Sequence, residues 1–147
     1  MKIVVVSDSH RHPDVLEKIV TLTQADYFLH AGDSGVPEAL LRPYLSVKGN
    51  CDFYAYPLER IVEAGDVRIY LHHGHVYSLS KMIEKAKQLN CHIVIYGHTH
   101  VPKWDQINGM HVINPGSVAF PRRGSQKSYA VITFDSPATI HCTFIHL

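Results

Sequence analysis

Residues 1–10 have the sequence MKIVVVSDSH, in which a short run of β-branched side chains is followed by Asp8 and His10. A run of this kind is typical of a buried strand. Residues 92–100, HIVIYGHTH, repeat the arrangement: an apolar strand, a glycine, and then His98 and His100. Ligand sites in open α/β sheets lie at the carboxyl ends of the strands. Both stretches therefore indicate a sheet with a functional site at its strand ends.

The hydrophobic pattern outside these two stretches predicts helices first and hairpins later. Apolar residues at helical spacing over 13–22 and 79–89 predict two amphipathic helices. Three strand pairs joined by turn residues are predicted at 60–71, 104–113 and 129–145. Helices between strands, followed by hairpins, predict the α/β class with one mixed sheet or two packed sheets.

The composition is that of an ordinary globular chain. It has 147 residues, of which 46% are hydrophobic and 18% charged, with a net charge of +1. These values predict one domain over residues 1–147, and they exclude long disorder. The small net charge gives no indication of binding to duplex nucleic acid. No apolar run approaches the roughly 20 residues of a membrane span. With no signal-peptide pattern and no C-x-x-C pair, we expect a cytoplasmic protein with reduced thiols.

Histidine is overrepresented, and its positions indicate a metal site. Twelve histidines stand beside only fourteen lysines and arginines, and imidazole is the commonest metal ligand. Like the two strands that precede Asp8 and His98, three more predicted strands end in candidate metal donors. Their ends are Gly32-Asp33, then Gly49-Asn50-Cys51-Asp52, then His72-His73-Gly74-His75. Each motif alone is weak evidence, but the five together predict a functional cluster if the strand ends lie on one edge.

The chemistry of the donors favours two divalent ions. Carboxylate, amide and imidazole groups suit manganese, iron, zinc or nickel better than a structural zinc site built on cysteine. The candidate ligands are Asp8, His10, Asp33, Asn50, His73, His98 and His100. Seven donors exceed the needs of one ion that must also hold water. Two ions that share a bridging carboxylate fit better, and such pairs are typical of phosphatases and nucleases.

The ordered set D-x-H, G-D, G-N-C-D, H-G-H, G-H-T-H and Asn114-Pro115-Gly116-Ser117 resembles the calcineurin-like metallophosphoesterases. The short chain and the G-N-C-D form resemble the small prokaryotic phosphodiesterase (YfcE-like) branch of that family. The likeness covers essentially the whole chain. It implies a four-layer αββα sandwich of two mixed β-sheets flanked by helices.

The resemblance also implies a role for each ligand. Asp8, His10 and His100 would hold one ion. Asn50, His73 and His98 would hold the other, and Asp33 would bridge the two. The implied activity is hydrolysis of a small-molecule phosphate ester, with a phosphodiester as the expected substrate, by attack of a metal-bridging hydroxide. Manganese is the expected metal, with nickel, magnesium, zinc or iron as alternatives.

Cys51 departs from the wider family pattern. Many members have a histidine after the asparagine, and it acts there as general acid or stabilises the transition state. A thiol is a poor replacement, because its ordinary pKa is about 8.5. His75 and Asp52 are the catalytic residues that we expect to substitute for it, with a solvated loop histidine as the alternative for His75. His72, the neighbour of His73, should point away from the site.

Two alternatives to a phosphodiesterase remain open. The protein could be a phosphomonoesterase of the same fold, or a non-catalytic scaffold resembling the retromer subunit that shares this fold. The completeness of the seven donors favours an enzyme. The paired Arg122-Arg123 fits a phosphate contact as well as it fits a solvated loop. The sequence leaves the oligomeric state open, a homo-oligomer included.

Overall fold

The computed structural model describes all residues from 1 to 147. It contains two α-helices and ten β-strands. The helices are α1 (Pro13–Leu22) and α2 (Leu79–Gln88). The strands are β1 (Lys2–Val6), β2 (Tyr27–His30), β3 (Leu45–Ser46), β4 (Glu59–Ala64), β5 (Val67–His72), β6 (Ile93–Ile95), β7 (Lys103–Ile107), β8 (Met110–Asn114), β9 (Ser128–Thr133) and β10 (His141–His146). None of the helices has the length and apolar character needed to span a bilayer.

The strands form two mixed five-stranded sheets. The first sheet has the order β10-β9-β1-β2-β3, and the second has the order β4-β5-β6-β8-β7. In the first sheet β2 pairs parallel with both β1 and β3, whereas β9 pairs antiparallel with both β1 and β10. In the second sheet β5, β6 and β8 are parallel, and β4 and β7 pair antiparallel at the edges. This architecture confirms the predicted fold class.

Side-chain alternation along the strands builds the layers. Ile3 and Val5 of β1 point into a core between the two sheets, together with Ile69 of β5. Val4 and Val6 point the other way, where they pack in a cluster that includes residues of α1. The opposite face of the second sheet forms a third cluster with α2, in which Tyr70 takes part. A helix therefore covers the outer face of each sheet.

Local sequence explains where the helices begin. Pro13 opens α1, a position where the missing backbone N–H costs nothing. Ser78 caps α2 by accepting a hydrogen bond from the backbone N–H of Lys81 at 3.2 Å. Lys85 and Lys87 stand in the last turn of α2, where positive charge complements the helix dipole.

Three expectations from the sequence differ from the structure. The sequence predicts a third strand around residues 45–48, but the strand there is only two residues long. The sequence predicts the last strand over residues 139–145, but that strand starts at His141, because a capping box between Ser136 and Thr139 folds Pro137–Thr139 into a 3₁₀ turn. The five strand ends do not lie on the edge of one sheet. Three belong to the first sheet and two to the second, so the predicted cluster lies between the sheets.

Candidate metal centre

The carboxyl ends of five parallel strands, three in one sheet and two in the other, converge on one place. The loops after β1, β2 and β3 supply donors from the first sheet, and the loops after β5 and β6 supply donors from the second. The side chains brought together are Asp8, His10, Asp33, Asn50, His73, His98 and His100. All seven predicted ligands therefore meet in one cluster, although 92 residues of chain separate the first from the last.

One group of donors forms around Asp8. Its Oδ1 lies 3.1 Å from Nε2 of His100 and 3.8 Å from Nε2 of His10, and the two Nε2 atoms are 3.4 Å apart. Two ligands about 2.1 Å from one ion, and at right angles around it, are about 3 Å apart. The spacing of these three donors is therefore suitable for one divalent ion.

A second group forms around Asn50. Its Oδ1 lies 3.0 Å from Nε2 of His73 and 3.1 Å from Nδ1 of His98. Asp33 lies between the two groups, because its Oδ2 is 3.3 Å from His73 Nε2 and 4.0 Å from His10 Nε2. His73 Nε2 also lies 3.8 Å from Asp8 Oδ1, so the two groups of donors adjoin.

Two histidines are oriented by backbone carbonyls. The Nδ1 of His73 lies 2.7 Å from the carbonyl oxygen of Ala31, and the Nδ1 of His100 lies 2.6 Å from that of Phe120. In each ring the Nδ1–H donates to the carbonyl, which leaves Nε2 to face the cluster. Metal-binding histidines are usually held in this way.

A buried oxygen without a partner shows that a cation fits this site. Asp8 is fully buried, and its Oδ2 accepts hydrogen bonds from Ser7 Oγ at 2.6 Å and from the backbone N–H of His98 at 3.1 Å. Its Oδ1 has no hydrogen-bond partner. An uncompensated buried carboxylate oxygen is costly, and a cation beside Asp8 Oδ1 removes that cost.

The electrostatics keep both carboxylates ionised. Burial opposes ionisation of Asp8, but the adjacent rings of His100 and His73 outweigh it, so the pKa of Asp8 is lowered. Burial also opposes ionisation of Asp33, but contact with His73 outweighs it and lowers the pKa of Asp33 well below its ordinary value. The pKa of His100 is raised, first by its close contact with the Asp8 carboxylate. Ionised carboxylates are the form that binds a metal.

Two glycines allow the loops to approach so closely. A Cβ at Gly97 would lie 2.8 Å from Asp8 Oδ2 and closer still to Ser7 Oγ. A Cβ at Gly49 would lie 2.7 Å from the carboxyl carbon of Asp33. Real Cβ atoms essentially never approach other atoms so closely, so glycine is required at both positions.

The structure gives Asp52 a different position from the expected one. Its Oδ2 accepts the backbone N–H groups of Asp33 and Gly49 at 2.9 and 2.8 Å, and its Oδ1 accepts that of Gly35 at 2.9 Å. The side chain is buried and its carboxylate is occupied by these donors. This carboxylate ties the loops after β2 and β3 together, and proton donation by Asp52 stays a prediction.

His75 and Cys51 stand at the edge of the cluster. The ring of His75 lies 5.3 Å from that of His73 and 6.5 Å from that of His98, between centroids. Its Nδ1 is buried without a partner. Burial, together with the positive charge of His73, lowers the pKa of His75.

Cys51 is exposed, and its sulfur lies near donor atoms of His10 and Asp33. His72 is buried and accepts the backbone N–H of Gly74, as expected for a structural residue.

Several groups support the ligands, and of these the sequence indicated only the Asn114–Ser117 turn. Ser117 Oγ donates to the carbonyl oxygen of Asp8 at 2.8 Å, and Asn114 Nδ2 donates to the carbonyl oxygen of Gly97 at 3.0 Å. Ser7 binds Asp8 directly. The adjacency of Ser7 to Asp8 and the Asn114–Ser117 turn were the available signals. The carbonyl groups that orient the histidines have no signal of their own in the sequence.

Two clefts border the cluster, and Arg122 lines both of them. The arginine cleft encloses about 760 Å³ and is lined by Tyr96, His98, Thr99, Val101, Pro102, Lys103, Arg122 and Arg123. The aromatic cleft encloses about 560 Å³ and is lined by His10, Arg11, Gly35, Cys51, His100, Phe120 and Arg122. Each volume is within the usual range for a small-molecule site. Each cleft also contains at least one of the seven donors.

Comparison with known proteins identifies the family. Residues 1–137 match the calcineurin-like phosphoesterase superfamily domain. The chain belongs to this superfamily. Among its relatives is the probable metallophosphoesterase YsnB of Bacillus subtilis (strain 168), 33% identical over 147 residues that cover 94% of this chain and 87% of YsnB. The phosphodiesterase YfcE of Escherichia coli (strain K12) is 26% identical over 167 residues, which cover 92% of this chain and 89% of YfcE.

Solved structures share the metallophosphoesterase fold. A conserved uncharacterized protein of Streptococcus pneumoniae TIGR4, described as a predicted phosphoesterase, superposes with a TM-score of 0.86 and 27% identity. The superposition covers 99% of this chain and 97% of the Streptococcus pneumoniae protein. A Vps29 single mutant from Entamoeba histolytica superposes with a TM-score of 0.76 and 20% identity, over 100% of this chain and 99% of that one. The second likeness is one of fold alone.

Proposed function

We propose that this metallophosphoesterase is a divalent-metal-dependent phosphodiesterase with a dinuclear centre. The observation that carries the proposal is the convergence of seven donor side chains in one cluster, which contains the unpartnered Oδ1 of Asp8. The reaction would add water across one P–O ester bond of a small phosphodiester and yield a monoester and an alcohol. Because both sheets contribute ligands, residues 1–147 would act as one domain.

The division of the ligands between the two ions follows the family resemblance. Asp8, His10 and His100 would hold one ion, Asn50, His73 and His98 the other, and Asp33 would bridge them. When bound, two divalent ions supply Lewis acidity that activates water and neutralises charge on phosphoryl oxygens. Manganese is the ion that we expect, and nickel, magnesium, zinc and iron suit the same donors.

Other side chains would act on the substrate directly. His75 stands beside two ligand histidines with a buried, unpartnered Nδ1. Its lowered pKa favours the neutral ring near pH 7, and the N–H of a neutral imidazole can donate a hydrogen bond to a phosphoryl oxygen. On the side of the aromatic cleft, Cys51 offers only a thiol whose pKa is raised by burial and by the charge of Asp33. A leaving group on that side would depart without strong general-acid help.

Two clefts favour a diester over a monoester. A diester has two organic groups on the phosphorus, and the arginine and aromatic clefts both open onto the ligand cluster. A monoester would need only one cleft. The similarity to the phosphodiesterase YfcE supports the same choice. A phosphomonoesterase is the alternative within the family.

The non-catalytic alternative has a fold-level argument behind it. Vps29 of Entamoeba histolytica shares the fold of this chain. The scaffold alternative rests on this likeness of fold. A scaffold has no need for a complete donor set, whereas all seven donors converge here. The proposal of an enzyme therefore explains more of the observed geometry.

The first experiment counts the ions. Metal-stripped protein is reloaded with excess manganese, and bound metal per chain is measured by elemental analysis. We expect about two ions per chain. Asp33→Asn should impair both sites, whereas His10→Ala should weaken mainly one. One ion per chain in a fully active enzyme would contradict the dinuclear centre.

The second experiment separates the three activities. The reloaded protein is assayed with bis(4-nitrophenyl) phosphate and with 4-nitrophenyl phosphate. Faster turnover of the diester supports a phosphodiesterase, and the reverse order identifies a phosphomonoesterase. No hydrolysis of either ester with any of the five metals, at full metal occupancy, would favour the scaffold.

A further inference from the structure

The rim of the metal centre has unpaired positive charge. The ion pairs formed by lysine and arginine in this structure involve Arg68, Lys81, Lys85 and Lys103. Arg122 and Arg123 are exposed, are absent from that set and donate no guanidinium hydrogen bond. Both line the arginine cleft. Two adjacent guanidinium groups in a cleft, without a protein partner, are a recognition site for an anion.

The backbone fixes this loop against the ligands. The backbone N–H of Arg122 donates to the carbonyl oxygen of His100 at 3.4 Å. Ser125 donates through Oγ to the carbonyl oxygen of Arg122 at 2.5 Å, and its N–H donates to the same oxygen at 3.1 Å. The turn that presents both arginines is thereby tied to a proposed metal ligand. The positions of the guanidinium groups are coupled to the position of the centre.

The arginine cleft contains little negative charge. Lys103 pairs with Asp105 at 3.4 Å, so that carboxylate is matched by its own lysine. His98, a proposed metal ligand, lines the same cleft. A group in the cleft would therefore touch the arginines at one end and the centre at the other. The aromatic cleft shares Arg122 and also contains Arg11, but Phe120 and Cys51 line it as well, and Arg123 does not.

We propose that the natural substrate is a phosphodiester whose non-leaving arm carries a second phosphate group, bound by Arg122 and Arg123 in the arginine cleft. This inference rests on the proposed phosphodiesterase function and narrows its substrate class. The leaving arm would lie in the aromatic cleft, beside Cys51. The second phosphate would then set specificity, whereas the centre performs the hydrolysis.

Two matched esters test the inference. The 4-nitrophenyl ester of thymidine 5′-phosphate is compared with the same ester carrying a 3′-phosphate. Both release 4-nitrophenolate, so the bond that breaks is the same. Charge-assisted bonds from arginine to phosphate should give about a tenfold higher kcat/KM for the 3′-phosphorylated ester, mostly through KM. Added salt should reduce this preference.

Variants assign the preference to the arginines. Arg123→Gln should reduce the preference about tenfold, and Arg123→Lys should retain part of it because the charge remains without the planar fork. Lys87→Gln removes an equal charge from the exposed side of α2, away from both clefts, and should retain the full preference. An unchanged preference in Arg123→Gln and in Arg122→Gln would overturn the inference.

A binding measurement separates this inference from the proposed function. Thymidine 3′,5′-bisphosphate and thymidine 5′-monophosphate are titrated into metal-free protein by calorimetry. If the bisphosphate binds about tenfold tighter and Arg123→Gln removes the difference, the inference is supported even when neither ester is hydrolysed. Equal binding of the two nucleotides overturns the inference. Equal hydrolysis of both esters, unaffected by either arginine variant, also overturns it and leaves the phosphodiesterase intact.

Discussion

At the scale of single residues, Asp52 illustrates how a carboxylate near an active site can be structural. It accepts three backbone N–H groups from two loops that carry Asp33 and Asn50. Asp52→Asn replaces an acceptor with an N–H₂ donor that faces N–H groups. We expect the free energy of unfolding to fall by about 2 to 3 kcal/mol, measured by urea denaturation.

A matched variant and a kinetic measurement separate the two roles of Asp52. Asp26 accepts one backbone N–H, from Lys2, on the exposed side of the sheet, and Asp26→Asn should cost clearly less stability. In Asp52→Asn the dependence of rate on the leaving group's pKa should match that of the parent. A steeper dependence would show that Asp52 donates a proton after all.

Cys51 gives the second prediction at this scale. The thiol is a weak acid here, because burial and Asp33 raise its pKa. Cys51→His restores an imidazole beside the leaving group. We expect the rate for alkyl diesters to rise on the order of tenfold or more, since general acid catalysis is worth up to about 10²–10⁴-fold, whereas aryl diesters change little.

The control for that substitution is Cys51→Ala, which removes the thiol without adding an acid. It should show the parent's dependence on leaving-group pKa across a series of diesters. Loss of all turnover in Cys51→Ala, with two ions still bound, would reveal a chemical role for the thiol. His75→Ala tests the remaining imidazole in the same series, and an unchanged slope would exclude it as the proton donor.

The sequence predicted the ligand side chains better than it predicted their supports. Asp8, His98 and His100 follow apolar strands beside glycine or serine, so the pattern alone places them at strand ends. The groups that orient His73 and His100 are main-chain carbonyls of Ala31 and Phe120. Any residue type supplies a carbonyl, so no sequence pattern marks these two positions.

At the scale of elements, the site depends on how closely the loops after β1 and β6 approach. Gly97 follows β6 directly, and a methyl group there would overlap Ser7 and Asp8. Gly97→Ala should therefore displace Asp8 and lower manganese affinity at least about tenfold, since distorted donor geometry weakens binding. Calorimetric titration of the metal-free protein measures the change.

Gly109→Ala is the control for an added methyl group. Gly109 has a φ of +79°, and no atom lies within 4 Å of the position of its Cβ. That substitution should cost about 1 kcal/mol of stability through backbone strain and leave manganese affinity unchanged. If Gly97→Ala retains full affinity, the close approach of the two loops is not what positions Asp8.

Element positions were predictable where the signal is local. The spacing of Met82, Ile83 and Ala86 marks α2, and Asn108-Gly109 marks the turn between β7 and β8. The short β3 and the late start of β10 were not predictable, because pairing with β2 and the capping box of Ser136 decide them. Both depend on geometry that apolar periodicity does not encode.

At the scale of the whole molecule, two sheets share one site and one core. β1 and β5 are neighbours neither in sequence nor in a sheet, yet residues of both pack in the core between the sheets. The residue pattern alone left one mixed sheet and two packed sheets open, because strand order depends on contacts distant in sequence. The family resemblance supplied that choice, and the structure confirms it.

Acid should destabilise this molecule through a histidine buried beside the site. His30 is fully buried, accepts the backbone N–H of Gly32 at Nδ1 and lies 2.9 Å from Ser9 Oγ at Nε2. Burial lowers its pKa to about 4, against an ordinary value near 6.5. Between those values the unfolded chain binds the proton and the folded chain does not, so stability falls as pH decreases from 6.5 to 4, by about 3 kcal/mol.

Urea denaturation of metal-free protein at several pH values measures this pH dependence of the free energy of unfolding. His30→Asn keeps an acceptor for the backbone N–H of Gly32 and cannot titrate. Its free energy of unfolding should therefore fall by about 3 kcal/mol less than the parent's between pH 6.5 and 4, even if the variant is less stable at pH 7. His146→Asn, on the exposed end of β10, should keep the parent's slope. A parental slope in His30→Asn would instead assign the acid sensitivity to other groups, such as the ligand histidines.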